Sequence, residues 1–241
     1  MHNTAIVVAA GVGRRMGRRE PKSMIPIGDK PLLYYSVKAF HLATGIDSII
    51  LTCPSGFERR FQQFVESESF DKVTAVVTGG ETRQESVFRA LEECPEDTTH
   101  VLIHDGARPY LTVSKIDELI ATLAMGEEGA ALANPARYTL RRHDDEYYAG
   151  EAVARDDLMV IQTPQGFEYG KILAAHESAH LSGTEYPDDT TVATAAGIKV
   201  KLITGHDLNF KVTYAFDTEM AEALLPLWKR IIKAEKPART V

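Results

Sequence analysis

The chain has 241 residues, with 27 Lys and Arg against 34 Asp and Glu, and a formal net charge of −7, a balance that argues against coating nucleic acid or an anionic membrane by bulk charge. At 44% hydrophobic and 25% charged residues, with 17 Gly and 11 Pro, the composition is globular rather than disordered or fibrous. Two cysteines, Cys53 and Cys94, are too few for a disulfide framework or a four-ligand zinc site, so a reducing compartment is expected.

In chain order, Met1 to Thr4 lead straight into an apolar run, Ala5 to Ala10, without a charged leader. No stretch of about 18 apolar residues follows anywhere, and the expected location is the cytoplasm. Similar unbroken runs recur at Asp47 to Cys53, Lys72 to Thr78, His100 to His104 and Ile198 to Thr204, the pattern of strands covered on both faces. Helical spacing fills Leu32 to Ala43, Gln84 to Glu93, Val113 to Met125, Tyr169 to His180, Thr190 to Ala196 and Thr218 to Ile232. The alternation predicts an α/β fold, a Rossmann-like open and mainly parallel sheet with its ligand site at the carboxyl ends of the strands. The segment from Tyr138 to Asp157 holds little core material and reads as a polar hairpin projecting from that domain. The tail from Lys233 to Val241 is expected to fray.

The first run ends in Ala9-Ala10-Gly11-Val12-Gly13-Arg14-Arg15-Met16-Gly17, then Arg18, Arg19, Glu20, Pro21 and Lys22. The glycines let backbone N–H groups approach a polyphosphate, and five basic residues between Arg14 and Lys22 supply opposite charge. A dinucleotide fingerprint would need its third glycine where Met16 stands, and no Gly-Lys-Ser/Thr closes a Walker A loop. A turn with solvated arginines is the plain alternative, and an exposed lysine is the plain alternative for Lys22.

Ala9-Ala10-Gly11 with Gly13, Arg15, Met16 and then Pro21-Lys22 resembles the signature of sugar-phosphate nucleotidyltransferases. Further motifs follow in order: Gly79-Gly80-Glu81-Thr82-Arg83 running to Ser86-Val87, His104-Asp105-Gly106-Ala107-Arg108-Pro109, Thr139, Arg155 before Thr163-Pro164-Gln165, Asp188-Asp189, and Asn209-Phe210-Lys211-Val212-Thr213. Together they resemble the 2-C-methyl-D-erythritol 4-phosphate cytidylyltransferases of the non-mevalonate isoprenoid pathway, from about Ala5 to Leu224. The resemblance leads us to expect a single-function form rather than a fused bifunctional one, with residues 1–241 as one nucleotidyltransferase domain.

The resemblance implies attack by a substrate phosphate oxygen on the α-phosphorus of CTP, with loss of diphosphate. No covalent enzyme intermediate is required, so positioning and charge neutralisation carry the rate. Arg15, Lys22 and Lys211 are the implied catalytic cations. Ala9, Ala10, Gly11, Gly13, Gly80 and Ser86 are implied to hold the nucleotide, and Asp105, Arg108, Thr139, Arg155 and Thr163 the polyol phosphate. Mg²⁺ would be bound mainly through the CTP phosphates, with no dedicated protein ligands. In the family the hairpin is a dimerisation arm that crosses a two-fold axis and lends Thr139 and Arg155 to the partner's site. The partners expected are therefore CTP, a polyol phosphate and a second copy of the chain.

Plainer roles stand beside these: an Asp105–Arg108 structural ion pair, a helix-capping Ser86, and a local salt bridge for Arg155. His104 carries no assigned catalytic role. Asp188 and Asp189 read as acidic residues favoured at a helix N-terminus rather than as a metal pair. Ser23, Tyr138 and Arg141 depart from the family's usual residues and cluster on the acceptor side, which keeps ribitol 5-phosphate as an alternative acceptor. Related ribitol enzymes open with L-A-G-G instead of A-A-G. A non-catalytic nucleotide-binding module and a dinucleotide-dependent redox enzyme are the readings from other classes.

Overall fold

The computed structural model describes residues 1–11 and 20–235. Eleven strands are present among them: β1 (His2–Val8), β2 (Pro26–Ile27), β3 (Lys30–Pro31), β4 (Ser48–Cys53), β5 (Val73–Thr78), β6 (Thr98–Asp105), β7 (Gly129–Pro135), β8 (Leu140–His143), β9 (Ala149–Val153), β10 (Met159–Glu168) and β11 (Val200–Thr204). The helices are α1 (Leu32–Leu42), α2 (Glu58–Ser67), α3 (Arg83–Glu92), α4 (Val113–Ala124), α5 (Tyr169–Ser182), α6 (Asp189–Ala195) and α7 (Ala215–Glu235). The five strands and six helices expected from the sequence all form. Helix α2 and the strands β7 and β10 were not anticipated.

Seven strands make the main sheet in the order β11-β7-β10-β6-β1-β4-β5. All neighbours are parallel except β10, which runs antiparallel to both β6 and β7. Side chains alternate across the sheet with the period of two that extended backbone imposes. Ala5, Val7, Ile49, Leu51 and Leu102 join the core beneath α1, α2, α4 and α7, while Ile6, Ile50, Val101 and Ile103 join the core beneath α3, α5 and α6. Ile6 is fully buried, and cutting such a side chain back to alanine costs about 2–5 kcal/mol.

This connectivity also locates a crevice. From β1 the chain moves outward through α1, β4, α2 and β5, then returns through α3 to β6 on the other side of β1. The strand order therefore reverses between β1 and β6, where open α/β sheets bind ligands beyond the strands' carboxyl ends. Strands β7 and β10 lead into the separate two-stranded ribbon of β8 and β9, whose residues are almost all exposed. Ala136 N–H donates to the Leu158 carbonyl at its base, and Arg141 donates to the Gly150 carbonyl across it at 3.0 Å. The projecting hairpin is thus present.

Candidate functional site

The carboxyl ends of β1, β4, β5 and β6 surround a cavity of about 680 Å³. Val8 at the end of β1 and Ala9, Ala10 and Gly11 after it line the cavity, with Pro54 and Ser55 after β4, Gly79 and Gly80 after β5, and Asp105 at the end of β6. These loops are tied together. Gly106 N–H donates to the Val8 carbonyl at 2.9 Å, Ala9 N–H to Thr52 Oγ1 at 2.9 Å, and Gly79 N–H to the Cys53 carbonyl at 2.8 Å. A Cβ on Gly79 would collide with Ala10 Cβ, so only glycine lets these two walls approach so closely.

Lys22 lines the same cavity from the turn after Pro21. The neighbouring Ser23, one of the departures from the family pattern, is buried and its hydroxyl donates to the Ala9 carbonyl at 3.3 Å. It fastens the lysine-bearing turn to the end of β1. Gly13 and Arg15 lie outside the described residues.

Helix α3 begins at the cavity. Thr82 caps it by accepting from Glu85 N–H at 3.1 Å, and the Glu85 carboxylate reaches back to Glu81 N–H at 2.8 Å, a reciprocal capping pattern. Ser86 accepts from Gly80 N–H at 3.0 Å and donates to the Thr82 carbonyl at 2.9 Å. Its hydroxyl therefore shapes the glycine turn from within the helix, combining the expected position in the site with the local role weighed beside it.

Asp105 is the centre of charge. Only 6% exposed, it accepts from Arg83 Nε at 2.9 Å and Lys211 Nζ at 2.8 Å, and Arg108 Nε stands 3.6 Å away. Burial alone would push this carboxyl up, but the three cations override it and hold it well below the usual carboxylate range. The expected Asp105–Arg108 contact is thus the loosest of three. Arg108 does not line the cavity, and its Nη1 donates to the Asn209 carbonyl at 2.8 Å.

Lys211 comes from the segment after β11, 106 positions along from Asp105. Asn209 donates to the Thr163 carbonyl at 2.7 Å, and Val212 N–H to the Ala107 carbonyl at 2.9 Å. These two bonds strap the segment across the end of β6 and set the lysine over the carboxylate. Asn209 is a site-building residue that the sequence reading did not single out, although it opens the quoted motif.

Thr163 and His104 lie behind Asp105. Thr163 Oγ1 accepts from Asp105 N–H at 3.1 Å and lies 3.0 Å from His104 Nδ1, while His104 Nε2 lies 3.1 Å from the Arg108 carbonyl. A carbonyl only accepts, so Nε2 carries the proton and Nδ1 accepts from the threonine. Both ring nitrogens and the threonine hydroxyl are satisfied, and His104 is a neutral structural residue. Thr163 is buried and does not line the cavity; Thr139 and Arg155 lie exposed in the arm, with Arg155 donating to the Arg137 carbonyl. Within one chain, then, the cavity gathers Ala9, Ala10, Gly11, Lys22, Gly80, Ser86, Asp105 and Lys211, and leaves the arm residues outside it.

Burial pushes the His104 imidazole down to about 4. Because the unfolded chain titrates near the ordinary value of 6.5, it takes up this proton first on acidification. Stability from this group is full above about pH 6.5 and falls by about 3 kcal/mol as pH drops toward 4. Urea unfolding of the wild type and His104→Asn should show a flatter pH dependence between 7 and 4.5 in the variant; equal slopes would contradict a buried neutral histidine.

Arg83 is the cavity residue that sequence reading missed. It stood in the quoted glycine motif, but nothing local indicated that it joins Asp105 to Asp189, with Nη2 2.8 Å from Asp189 Oδ2. Asp188 does cap α6, accepting from Thr191 N–H at 2.8 Å. Asp189, grouped with it as a helix-terminus acid, instead turns inward and is 1% exposed. Among the described residues no three His, Cys, Asp or Glu side chains gather into a metal cage, and the Asp105 oxygens are occupied by cations. This donor set fits a divalent ion only if bound phosphates supply most of its ligands.

The chain's likeness to known proteins agrees with this geometry over nearly its whole length. The sequence profile of the 2-C-methyl-D-erythritol 4-phosphate cytidylyltransferase family matches residues 3–226. The proteins of that name from Desulforamulus reducens and Clostridium kluyveri are each 37% identical to it, over 92% and 95% of this chain and 94% and 99% of theirs. The crystal structure of 4-diphosphocytidyl-2C-methyl-D-erythritol synthase from Anaerococcus prevotii superposes with a TM-score of 0.81 at 28% identity, covering 93% of this chain and 96% of that one. With the cation-ringed aspartate at the switch point and the motifs that build it falling inside the matched span, this chain belongs to the 2-C-methyl-D-erythritol 4-phosphate cytidylyltransferase family.

Proposed function

We propose that this protein transfers CMP from CTP to 2-C-methyl-D-erythritol 4-phosphate, releasing diphosphate and 4-diphosphocytidyl-2-C-methyl-D-erythritol. The observation that carries the proposal is the joining, in one crevice, of a glycine-lined wall with a carboxylate ringed by Arg83, Lys211 and Arg108. That arrangement suits two polyanions brought together, one of them rich in hydroxyls. Every family relative described above carries the erythritol name, which favours this acceptor over ribitol 5-phosphate.

In this reading the walls at Ala9, Ala10, Gly11 and Gly80 receive CTP, with Ser86 holding the Gly80 turn in shape, and Gly13 is a further nucleotide-binding residue. Arg15 and Lys22 neutralise the triphosphate and the charge that develops as diphosphate leaves. Lys211, on the far side, serves the α-phosphate, and the Asp105 carboxylate accepts from the acceptor's hydroxyls. Thr163 and Arg108 hold the backbone and charge around Asp105, and Thr139 and Arg155 reach the acceptor phosphate of a neighbouring subunit through the arm. Mg²⁺ carried by the CTP phosphates would supply further charge neutralisation. The chain works in this reading as one catalytic domain of a cytoplasmic homodimer; among the described residues no helix is long and apolar enough to cross a membrane.

Diphosphate release with CTP against UTP, and with the erythritol against the ribitol acceptor, tests the assignment directly. A higher rate with ribitol 5-phosphate would reassign the acceptor. Asp105→Asn separates the two substrates: by calorimetry the acceptor should bind about tenfold or more weakly, because a charged acceptor of hydroxyl protons is lost. CTP affinity should hold or rise as three cations lose their shared anion. Equal losses for both would contradict the placement of Asp105.

A further inference from the structure

Beneath the cavity floor lies a chain of polar groups, Arg83, Asp189 and His176, to which the proposed reaction gives no role. Arg83 donates through Nε to Asp105 Oδ1 at 2.9 Å and through Nη2 to Asp189 Oδ2 at 2.8 Å, so two carboxylates fix the guanidinium on two sides. Behind Asp189, on α5, His176 Nε2 stands 3.3 Å from Asp189 Oδ1, with both side chains about 1% exposed or less. These contacts join α3, β6, α6 and α5, and the partners lie 22 and 106 positions apart in sequence.

Such an arrangement is a poor device for stability. Desolvating buried ions cancels much of their attraction, and apolar residues of similar size often serve as well. Here Asp189 Oδ1 and both ring nitrogens of His176 are buried without a hydrogen bond of good geometry, a further cost that calls for an explanation. One end of the chain supplies it. Arg83 lines the cavity, and its grip leaves Asp105 Oδ2 as the oxygen directed to Lys211.

We propose that Arg83, Asp189 and His176 form a buried positioning chain that fixes the orientation of the Asp105 carboxylate toward the polyol acceptor. Asp189 and His176 are positioning residues that never touch substrate; Arg83 transmits their constraint. This rests on the reading of Asp105 as the acceptor-binding carboxylate. In this scheme Arg83 held only by Asp105 swings with it, and the acceptor loses a preset partner while the CTP wall, built from β1, β5 and the α3 cap, keeps its shape.

The test is a double-mutant cycle of Asp189→Asn and Arg83→Lys, reading the acceptor KM, kcat and, by calorimetry, CTP affinity. Asp189→Asn should raise the acceptor KM about tenfold with CTP affinity within about twofold. The double variant should be no worse than Arg83→Lys alone, because Asp189 acts only through Arg83. Should Asp189→Asn fail to fold, His176→Leu, which leaves Arg83 both carboxylates, decides on the same readouts with a smaller rise in acceptor KM. Additive losses, or equal losses on both substrates, mean a merely structural role and overturn the proposal. A wild-type protein that releases no diphosphate from CTP and the erythritol acceptor would instead refute the activity itself, before any variant is made.

Discussion

Lys211→Ala is expected to lower turnover about 10²- to 10³-fold, the usual cost of removing one preorganised charge from a transition state that accumulates negative charge, while leaving the fold intact. Lys211 Nζ sits 2.8 Å from Asp105 Oδ2, yet its side chain is 38% exposed, so it contributes little to the core. The carboxylate keeps Arg83 at 2.9 Å and Arg108 at 3.6 Å when the lysine is gone, so no buried charge is stranded. Lys22→Ala is expected to behave likewise, because Lys22 lines the same cavity from a turn that the Ser23 hydroxyl fastens to the end of β1. Thermal unfolding should therefore stay cooperative in both. Turnover within a few-fold of wild type in either variant would remove that residue from the catalytic set.

The bridge between Lys211 and Asp105 adds a physical detail to this prediction. In the proposed reaction the lysine serves the α-phosphate and the aspartate serves hydroxyls, and the two also bind one another. The Lys211→Ala protein should for that reason lose far more in kcat than in acceptor affinity, since Asp105 is relieved of a competitor for its Oδ2 lone pairs.

Much of the architecture was legible because parallel strands buried on both faces must be apolar at every position, and β1, β4 and β6 announce themselves as such runs. The runs at β5 and β11 also form strands, but at the two edges of the sheet, where β5 is only half-buried and β11 is largely exposed rather than covered on both faces. The exceptions have definable causes. Strand β7 is GAALANP, dominated by small residues with weak strand preference. Strand β10 carries Gln162, Thr163, Pro164 and Gln165 through its centre, and Gln162 and Gln165 are buried with hydrogen bonds to the segment after β11 and to the first turn of α6. Helix α2 is polar except for Phe61, Phe64 and Val65, which fall on one face at helical spacing and are buried. Its short apolar stripe was outweighed by the charged residues around it.

The site divides in the same way. The glycine wall, Lys22, Asp105 and Lys211 were found through motifs, and the fold brings them together because each motif follows the carboxyl end of a strand or is strapped to one. Arg83, Asn209 and Asp189 act through contacts between residues about 20 to 100 positions apart, which local spacing does not encode. Asp188 and Asp189 illustrate the limit: adjacent and chemically alike, one caps a helix at the surface and the other is turned into the interior.

The second large effect concerns the arm. Within one chain Thr139 and Arg155 lie exposed outside the cavity, so if they serve a site, it belongs to another subunit. The arm's own physics points the same way. A two-stranded ribbon is marginal in water, and this one exposes Tyr138, Tyr147 and Tyr148 at 83%, 82% and 69%, side chains whose apolar rings gain from a covering surface. A two-fold partner would cover them and order the arginine against its own cavity. Lys22→Ala and Arg155→Ala homodimers should each be nearly inactive. Mixed in equal amounts and allowed to exchange, half of the dimers are hybrids, and in each hybrid one site has both wild-type residues. About a quarter of wild-type activity should therefore return. Exchange can be verified by native mass spectrometry of differently tagged chains. If hybrids form and activity stays absent, Arg155 does not complete its partner's site and the shared-site arrangement is wrong.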